Sequence, residues 1–230
     1  MIFHGFQKMT LLDFPGKVAC TVFTGGCNFR CPFCHNALLV TQLNEAEEYS
    51  EEEILSYLKK RKGLLDGVAV TGGEPLMSDD VIDFIRRVKA EGYAVKLDTN
   101  GSYPERLKLL VNEGFVDYVA MDIKNSRELY GRTAGLQHFD ISKIEESVSF
   151  LMSSAVDYEF RTTVVNELHT VESITDAAKW IQGAKRYFLQ SFTDSGNLIG
   201  EGMSGVGKEE MQKMCEAASQ FVPNTALRGI

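Results

Sequence analysis

The chain is 230 residues long, with 24 Lys and Arg against 32 Asp and Glu, a formal net charge of −8, and 44% apolar residues. That composition excludes a disordered or collagen-like chain and supports a hydrophobic core that needs no disulfide staples. The acidic balance argues against a nucleic-acid binder, whose affinity would rest on Lys and Arg neutralising phosphates, and no run of about 18 apolar residues marks a membrane span.

Residues 1–8 lack the basic-then-apolar layout of a signal peptide, which predicts a cytosolic protein. The five cysteines are an odd number, and Cys27, Cys31 and Cys34 crowd into eight residues. In a reducing compartment such a set points to metal or redox chemistry before disulfides.

In chain order, residues 18–24 read as a buried strand that runs into the cysteine loop. Residues 51–62 form an amphipathic helix with Ile54, Leu55 and Leu58 on one face and a capping box from Ser50 and Glu53. A strand over 67–71 precedes a helix over 80–91, with Val81, Phe84, Ile85 and Val88 inward. A strand over 93–99 leads to a helix over 104–112, where Pro104 suits the first turn. Then come a strand over 116–123, a helix over 141–152, a strand over 158–165 and a helix over 171–182. A strand over 187–192, a helix over 208–221 and a short closing strand over 225–228 complete the series. This alternation predicts an α/β fold with parallel strands and helices outside, either open and doubly wound or curved towards a barrel. Six units are too few for a closed eight-stranded barrel. No linker divides the chain, so one domain over residues 1–230 is expected.

Chemistry in parallel α/β folds sits at the carboxyl ends of the strands. Unusual polar residues stand at each of those ends. The three cysteines follow the first strand, and Thr71-Gly72-Gly73-Glu74-Pro75 follows the second. Asp98-Thr99-Asn100-Gly101 closes the third, Asp122-Ile123-Lys124 the fourth, Arg161 lies on the fifth and Gln190 on the sixth. Read singly, the Gly-Gly and Asn-Gly sequences are turn signals and Asp122 with Lys124 an ordinary solvated pair. Arg161 is harder to read as structural, because a central parallel strand rarely tolerates an unpaired charge. Convergence of all six ends on one rim outweighs any single motif.

Three thiolates are one short of the four that close a typical iron–sulfur cluster or structural zinc site. Cys20 and Cys215 are assigned to the core, since cysteine is among the most buried residue types. Spacing alone leaves open a zinc site completed by an outside ligand such as His35. His4, His138 and His169 are expected at the surface. The stretch with Gly200, Gly202, Gly205 and Gly207 lacks the ending of a phosphate loop and reads as a mobile loop.

Cys27-x3-Cys31-x2-Cys34, with Phe33 before the third cysteine, resembles the radical S-adenosylmethionine (SAM) enzymes. In that family three cysteines hold three irons of a [4Fe–4S] cluster, and the fourth iron is open to the amino and carboxylate groups of SAM. Asp13-Phe14-Pro15-Gly16-Lys17 and Phe23-Thr24-Gly25-Gly26-Cys27 through His35-Asn36 narrow the resemblance to the glycyl-radical-enzyme activases. They are most similar to the activating proteins of anaerobic ribonucleoside-triphosphate reductase, and also to those of pyruvate formate-lyase. The resemblance implies a single-domain partial (β/α)6 TIM-like barrel with its cluster loop over 25–36. It implies reductive cleavage of SAM to a 5′-deoxyadenosyl radical that takes a hydrogen from a glycine of a partner enzyme. Phe33 and His35 would flank the adenine, and Gly72, Gly73 and Glu74 would take the SAM amino group. Asp122 and Lys124 would contact ribose and carboxylate, Arg161 would sit where activases carry an arginine, and Gln190 or Phe192 would fall near the adenine. The activase of pyruvate formate-lyase has a histidine at that last position and this chain does not. A monovalent cation would lie at Asp98, Thr99 and Asp122. With no second cysteine cluster in the sequence, the electron would arrive from flavodoxin or ferredoxin. Three other readings stay open: a different glycyl radical enzyme as partner, a small-molecule enzyme of the 7-deazapurine type, and a non-catalytic zinc-binding module.

Overall fold

The computed structural model describes residues 1–194 and 196–230. Ser195 lies outside the described residues. The chain forms two compact units, Met1–Asn28 with Leu38–Ala120 and Phe29–Ala37 with Met121–Ile230.

In the first unit the strands are β1 (Ile2–Phe3), β2 (Gly5–Thr10), β3 (Ala19–Thr24), β4 (Tyr49–Ser50), β5 (Gly67–Gly72) and β6 (Ala94–Thr99). β1 and β4 make a small antiparallel ribbon. β2 runs antiparallel to β3, whereas β3, β5 and β6 are parallel, with Thr21 opposite Ala69 and Ala69 opposite Lys96. The helices are α1 (Ala37–Thr41), which begins at the division between units, α2 (Glu51–Lys60), α3 (Asp80–Ala90) and α4 (Pro104–Asn112). α2 carries the expected reciprocal Ser50–Glu53 capping box and buries Ile54, Leu55 and Leu58. α3 buries Val81, Phe84, Ile85 and Val88. Its apolar spacing of three and four explains both the helix and the face it turns inward. Phe14, Ala19, Tyr118 and Ala120 make one core cluster, with Ala94 packed on it.

β7 (Tyr118–Asp122) spans the division between units. Just before it, Asp117 N donates to Val95 O at 2.9 Å, within the first unit; just after it, Ile123 N donates to Arg161 O at 2.7 Å, within the second. The second unit continues with α5 (Tyr130–Thr133), α6 (Ser142–Ser153), β8 (Asp157–Val164), α7 (Val171–Trp180), β9 (Tyr187–Ser191), α8 (Lys208–Ser219) and β10 (Thr225–Arg228). β8, β9 and β10 pair in parallel, with Phe160 opposite Tyr187 and Thr225 opposite Tyr187 on the other side. Cys215 is buried on α8 beside Met211 and Met214, and Cys20 is fully buried on β3, both as core residues.

The sheet is thus mostly parallel, as the sequence predicts. The differences lie at its margins. β1, β2 and β4 and the short α1 and α5 are additions to the predicted series. β2 shows why: its Gln7, Lys8 and Met9 are exposed, so it lacks the apolar run that reveals a central strand. Among the described residues no helix is long and apolar enough to cross a membrane.

Candidate functional site

In the first unit β3 ends at Thr24 and the chain turns through Gly25-Gly26 into Cys27. Gly26 has φ of 81°, a left-handed conformation that suits glycine. Its N–H donates to Leu39 O and its carbonyl accepts from Glu74 N, each at 2.8 Å. A Cβ on Gly73 would run into that same Gly26 carbonyl. The Gly-Gly-Glu sequence after β5 therefore has a backbone reason: the turn lies directly against the start of the cysteine loop.

Glu74 is 2% exposed. Its Oε1 accepts from Thr99 Oγ1 at 2.8 Å and Leu76 N at 3.0 Å, and its Oε2 from Asn100 N at 2.7 Å. The carboxylate so ties the turn after β5 to the turn after β6. Asp98 pairs with Lys96, two residues earlier on the same strand face, and accepts from Thr71 Oγ1 at 3.2 Å. Asn100 accepts from Ser102 N at 2.9 Å and Ser102 Oγ at 2.6 Å. Asn100 Nδ2 donates to Asn28 Oδ1 at 3.0 Å and lies 3.9 Å from Cys27 Sγ.

In the second unit Cys34 N donates to Cys31 O at 3.1 Å, a turn that brings the two residues together. Arg30 N donates to Ala134 O at 2.9 Å and Gly200 N to Pro32 O at 2.8 Å, so the loop is anchored on both flanks. Phe29 packs edge-on against Phe139 at 5.8 Å, and Phe139 stacks on buried Tyr130 at 5.3 Å. His35 stacks on Phe192 with centroids 5.2 Å apart and planes 10° from parallel. Its Nε2 carries the proton that Thr193 O accepts at 2.9 Å.

Asp122 takes Lys124 Nζ on one oxygen at 2.9 Å and Arg161 Nε and Nη2 on the other at 3.1 and 2.9 Å. Burial opposes the Asp122 charge, but the two cations outweigh it and hold its carboxyl below the usual range. Burial likewise pulls the Lys124 ammonium down, and Asp122 outweighs this to leave it raised. The charge on Arg161 is therefore paired, which is how a central parallel strand accommodates it. Gln190 is partly buried on β9.

His169 corrects the expectation of a surface residue: it is 3% exposed. Nδ1 accepts from Val165 N at 3.0 Å, and Nε2 therefore donates to Lys124 O at 2.8 Å. Burial keeps this imidazole neutral, with its pKa below the usual range. Its ring lies edge-on to Phe33 at 6.4 Å. His169, Lys96, Asn28 and Ser102 are the residues that sequence reasoning missed. A lysine inside an otherwise apolar strand, two places before an aspartate, is the one signal that marks Lys96.

The donor set suits a soft, positively charged metal group. Burial pushes the Cys34 thiol up while the Asn36 backbone N–H and the Lys124 and Arg30 charges pull it back against Asp122, whereas burial pushes Cys20 up to about 12. A metal group would complete deprotonation of the loop thiols and leave Cys20 an inert core thiol. Among the described residues no three His, Cys, Asp or Glu side chains are already gathered as a metal would hold them, so the fit rests on donor chemistry and on three cysteines in one eight-residue loop.

Residues 21–181 match the radical SAM superfamily, and that stretch includes the whole cysteine loop and most of the strands. The chain belongs to the radical SAM superfamily. The cofactors of that superfamily are a [4Fe–4S] cluster and SAM, so the zinc reading of the thiols gives way. The chain is 29% identical over 232 residues, 98% of its own length and 95% of the relative's, to a Methanocaldococcus jannaschii protein that carries the name glycyl-radical enzyme activating enzyme. It is 34% identical over 131 residues to the pyruvate formate-lyase-activating enzyme of Clostridium pasteurianum, across 53% of this chain and 52% of that one. Among solved structures it shares its fold with Streptococcus suis SuiB bound to SAM, with a TM-score of 0.69 and 13% identity over 90% of this chain. It spans 49% of SuiB's length.

Proposed function

We propose that this radical SAM enzyme activates a glycyl radical enzyme by removing an α-hydrogen from one of its glycines. The observation that carries this reading is the end-to-end likeness to the Methanocaldococcus jannaschii protein, which leaves almost nothing of either chain unmatched. When bound, the cluster supplies one electron to the SAM sulfonium, releasing methionine and a 5′-deoxyadenosyl radical. The chain's own part is to bind, orient and shield. Cys27, Cys31 and Cys34 hold the cluster. Phe33 and His35 form the apolar side of the adenine pocket, with Gln190 nearby. The turn of Gly72, Gly73 and Glu74 receives the SAM amine. Lys124 and Arg161 attract its carboxylate, and Asp122 keeps both cations in place. Fixed charges of this kind contribute about 1.5–3 kcal/mol per hydrogen bond, more than neutral ones. A monovalent cation at Asp98, Thr99 and Asp122 belongs to the same proposal. Lys96 already brings a positive charge to Asp98, so turnover with and without added potassium tests the cation directly.

The partner we favour is anaerobic ribonucleoside-triphosphate reductase, with flavodoxin or ferredoxin as electron donor, in the cytoplasm. The Clostridium pasteurianum likeness supports a second partner, pyruvate formate-lyase. Protein reconstituted with iron and sulfide without oxygen, then given SAM and a strong reductant, is expected to release 5′-deoxyadenosine. A glycyl radical signal on one of the two candidate partners, and not the other, identifies the substrate. Turnover of a small molecule with no protein partner would overturn the activase reading. One equivalent of zinc with little iron would overturn the cluster.

A further inference from the structure

Beside the first cysteine of the loop, the first unit carries a polar network that cluster ligation alone does not require. Asn100 and Ser102 are buried, and Asn28 Nδ2 donates to Ser102 Oγ at 2.9 Å. The network fixes which end of the Asn100 amide points where. Its Oδ1 faces the Ser102 backbone N–H, which is always a donor, so that atom is an oxygen and accepts. The NH2 end then faces Asn28 Oδ1 at 3.0 Å and Cys27 Sγ at 3.9 Å. One hydrogen goes to Asn28, and the other is directed at the sulfur. The backbone N–H of Asn100 is held as well, by Glu74 Oε2 at 2.7 Å. The amide cannot turn without breaking several hydrogen bonds of a partly buried network.

We propose that Asn100 is a positioning residue for the cluster: its Nδ2–H donates to the Cys27 sulfur and makes the cluster easier to reduce, while Ser102 and Asn28 hold the amide in that orientation. This rests on Cys27 being a cluster ligand. A donor aimed at a ligating sulfur stabilises negative charge there. Reduction adds one electron, part of whose charge is carried by the sulfurs, so the donor favours the reduced state over the oxidised one. A buried amide acts more strongly than an exposed one, because no water replaces it. The consequence is a specific role for the Asn-Gly turn after β6: it sets the driving force for the electron that SAM cleavage consumes.

The test is a redox titration of anaerobically reconstituted protein, with the reduced cluster followed by electron paramagnetic resonance. Asn100→Leu, which keeps the volume and removes the donor, is expected to lower the reduction equilibrium about tenfold, a shift of about 59 mV to more negative potential for one electron. Ser102→Ala, which unlocks the oxygen end but leaves Asn100 in place, is expected to shift it in the same direction by less. Iron and sulfide per chain should stay at the wild-type level in both. A full cluster in Asn100→Leu with an unchanged midpoint overturns the proposal. If that variant holds no cluster, Ser102→Ala decides, and a wild-type midpoint there overturns it equally. Cys27→Ala is the separate control: an intact cluster in it would refute Cys27 as a ligand, which is a different failure from an unmoved midpoint.

Discussion

Glu74 offers the sharpest separation between a residue that supports the site and one that only touches SAM. Its carboxylate is 2% exposed and accepts from Thr99 Oγ1, Leu76 N and Asn100 N. In Glu74→Gln the amide can keep its oxygen on the side that serves Thr99 and Leu76. The NH2 then faces the Asn100 N–H, donor against donor. One buried N–H loses its acceptor, at a cost of about 1–3 kcal/mol, and two charged bonds become neutral ones, each weaker by about 1 kcal/mol. The neutral amide is cheaper to bury than a carboxylate, which offsets part of this. The net expectation is a destabilisation of about 2–4 kcal/mol. For a chain of this length each kcal/mol lowers the melting temperature by about 2–4 °C, so a drop of roughly 5–15 °C should appear in thermal melts followed by circular dichroism. Wild type and variant should be melted both with and without the reconstituted cluster, so that cluster loss is not mistaken for lost hydrogen bonds. A variant that melts within about 2 °C of wild type would refute the reasoning, because Glu74 would then not tie the two turns together.

Further outcomes follow from other contacts. Gly73→Ala should prevent the turn from closing on Gly26, since the added Cβ meets a backbone carbonyl that cannot swing aside; Gly16→Ala, with φ of 71° but nothing within 4 Å, should cost only about 1–2 kcal/mol in urea denaturation. Arg161→Met leaves Asp122 with Lys124 but without its bidentate partner. At side-chain exposures of 15% and 32% the loss should be about 2–3 kcal/mol, below the figure for a fully buried pair. The same variant should weaken SAM binding about 10- to 100-fold in anaerobic calorimetry. His169 should make stability pH-dependent. Burial holds its folded pKa below the usual value, so above about pH 6.5 both states are neutral and it contributes no slope. Below that the unfolded chain takes up the proton first, and stability falls by up to about 1.4 kcal/mol per pH unit until the folded pKa is reached. Urea midpoints of wild type and His169→Gln should therefore converge between pH 7.5 and pH 5.5, and a constant gap would remove His169 as the cause.

The parallel strands were legible because burial on both faces leaves near-continuous apolar runs, as in Val68-Ala69-Val70. The helices were legible because their inward residues recur at three and four. β2 was not, because an edge strand with Gln7, Lys8 and Met9 exposed carries neither signal. The site divides along a similar line. Type and position relative to strand ends single out Glu74, Asp98, Asp122, Lys124 and Arg161. Neither reveals which of them spends its hydrogen-bonding capacity inside the protein, because the partners are distant in sequence. Asn100 reaches Cys27 across 73 residues, and His169 reaches Lys124 across 45. His169 sits between Leu168 and Thr170 with no periodicity to mark it as buried, and its desolvation is offset by backbone groups, Lys124 O and Val165 N among them.

That distinction also bears on how the proposed chemistry is held. Among the charged residues read from the sequence, Glu74 is saturated in a water-excluded position, whereas Asp122 keeps a third of its side-chain surface exposed while binding two cations. A carboxylate in the first situation fixes backbone, because moving it strands several N–H groups at once. One in the second fixes charge: it holds the Lys124 ammonium and the Arg161 guanidinium in place. The two carboxylates should consequently fail differently. Removing Glu74 should melt the turns around the cysteine loop, and neutralising Asp122 should instead leave Lys124 and Arg161 without their common anchor.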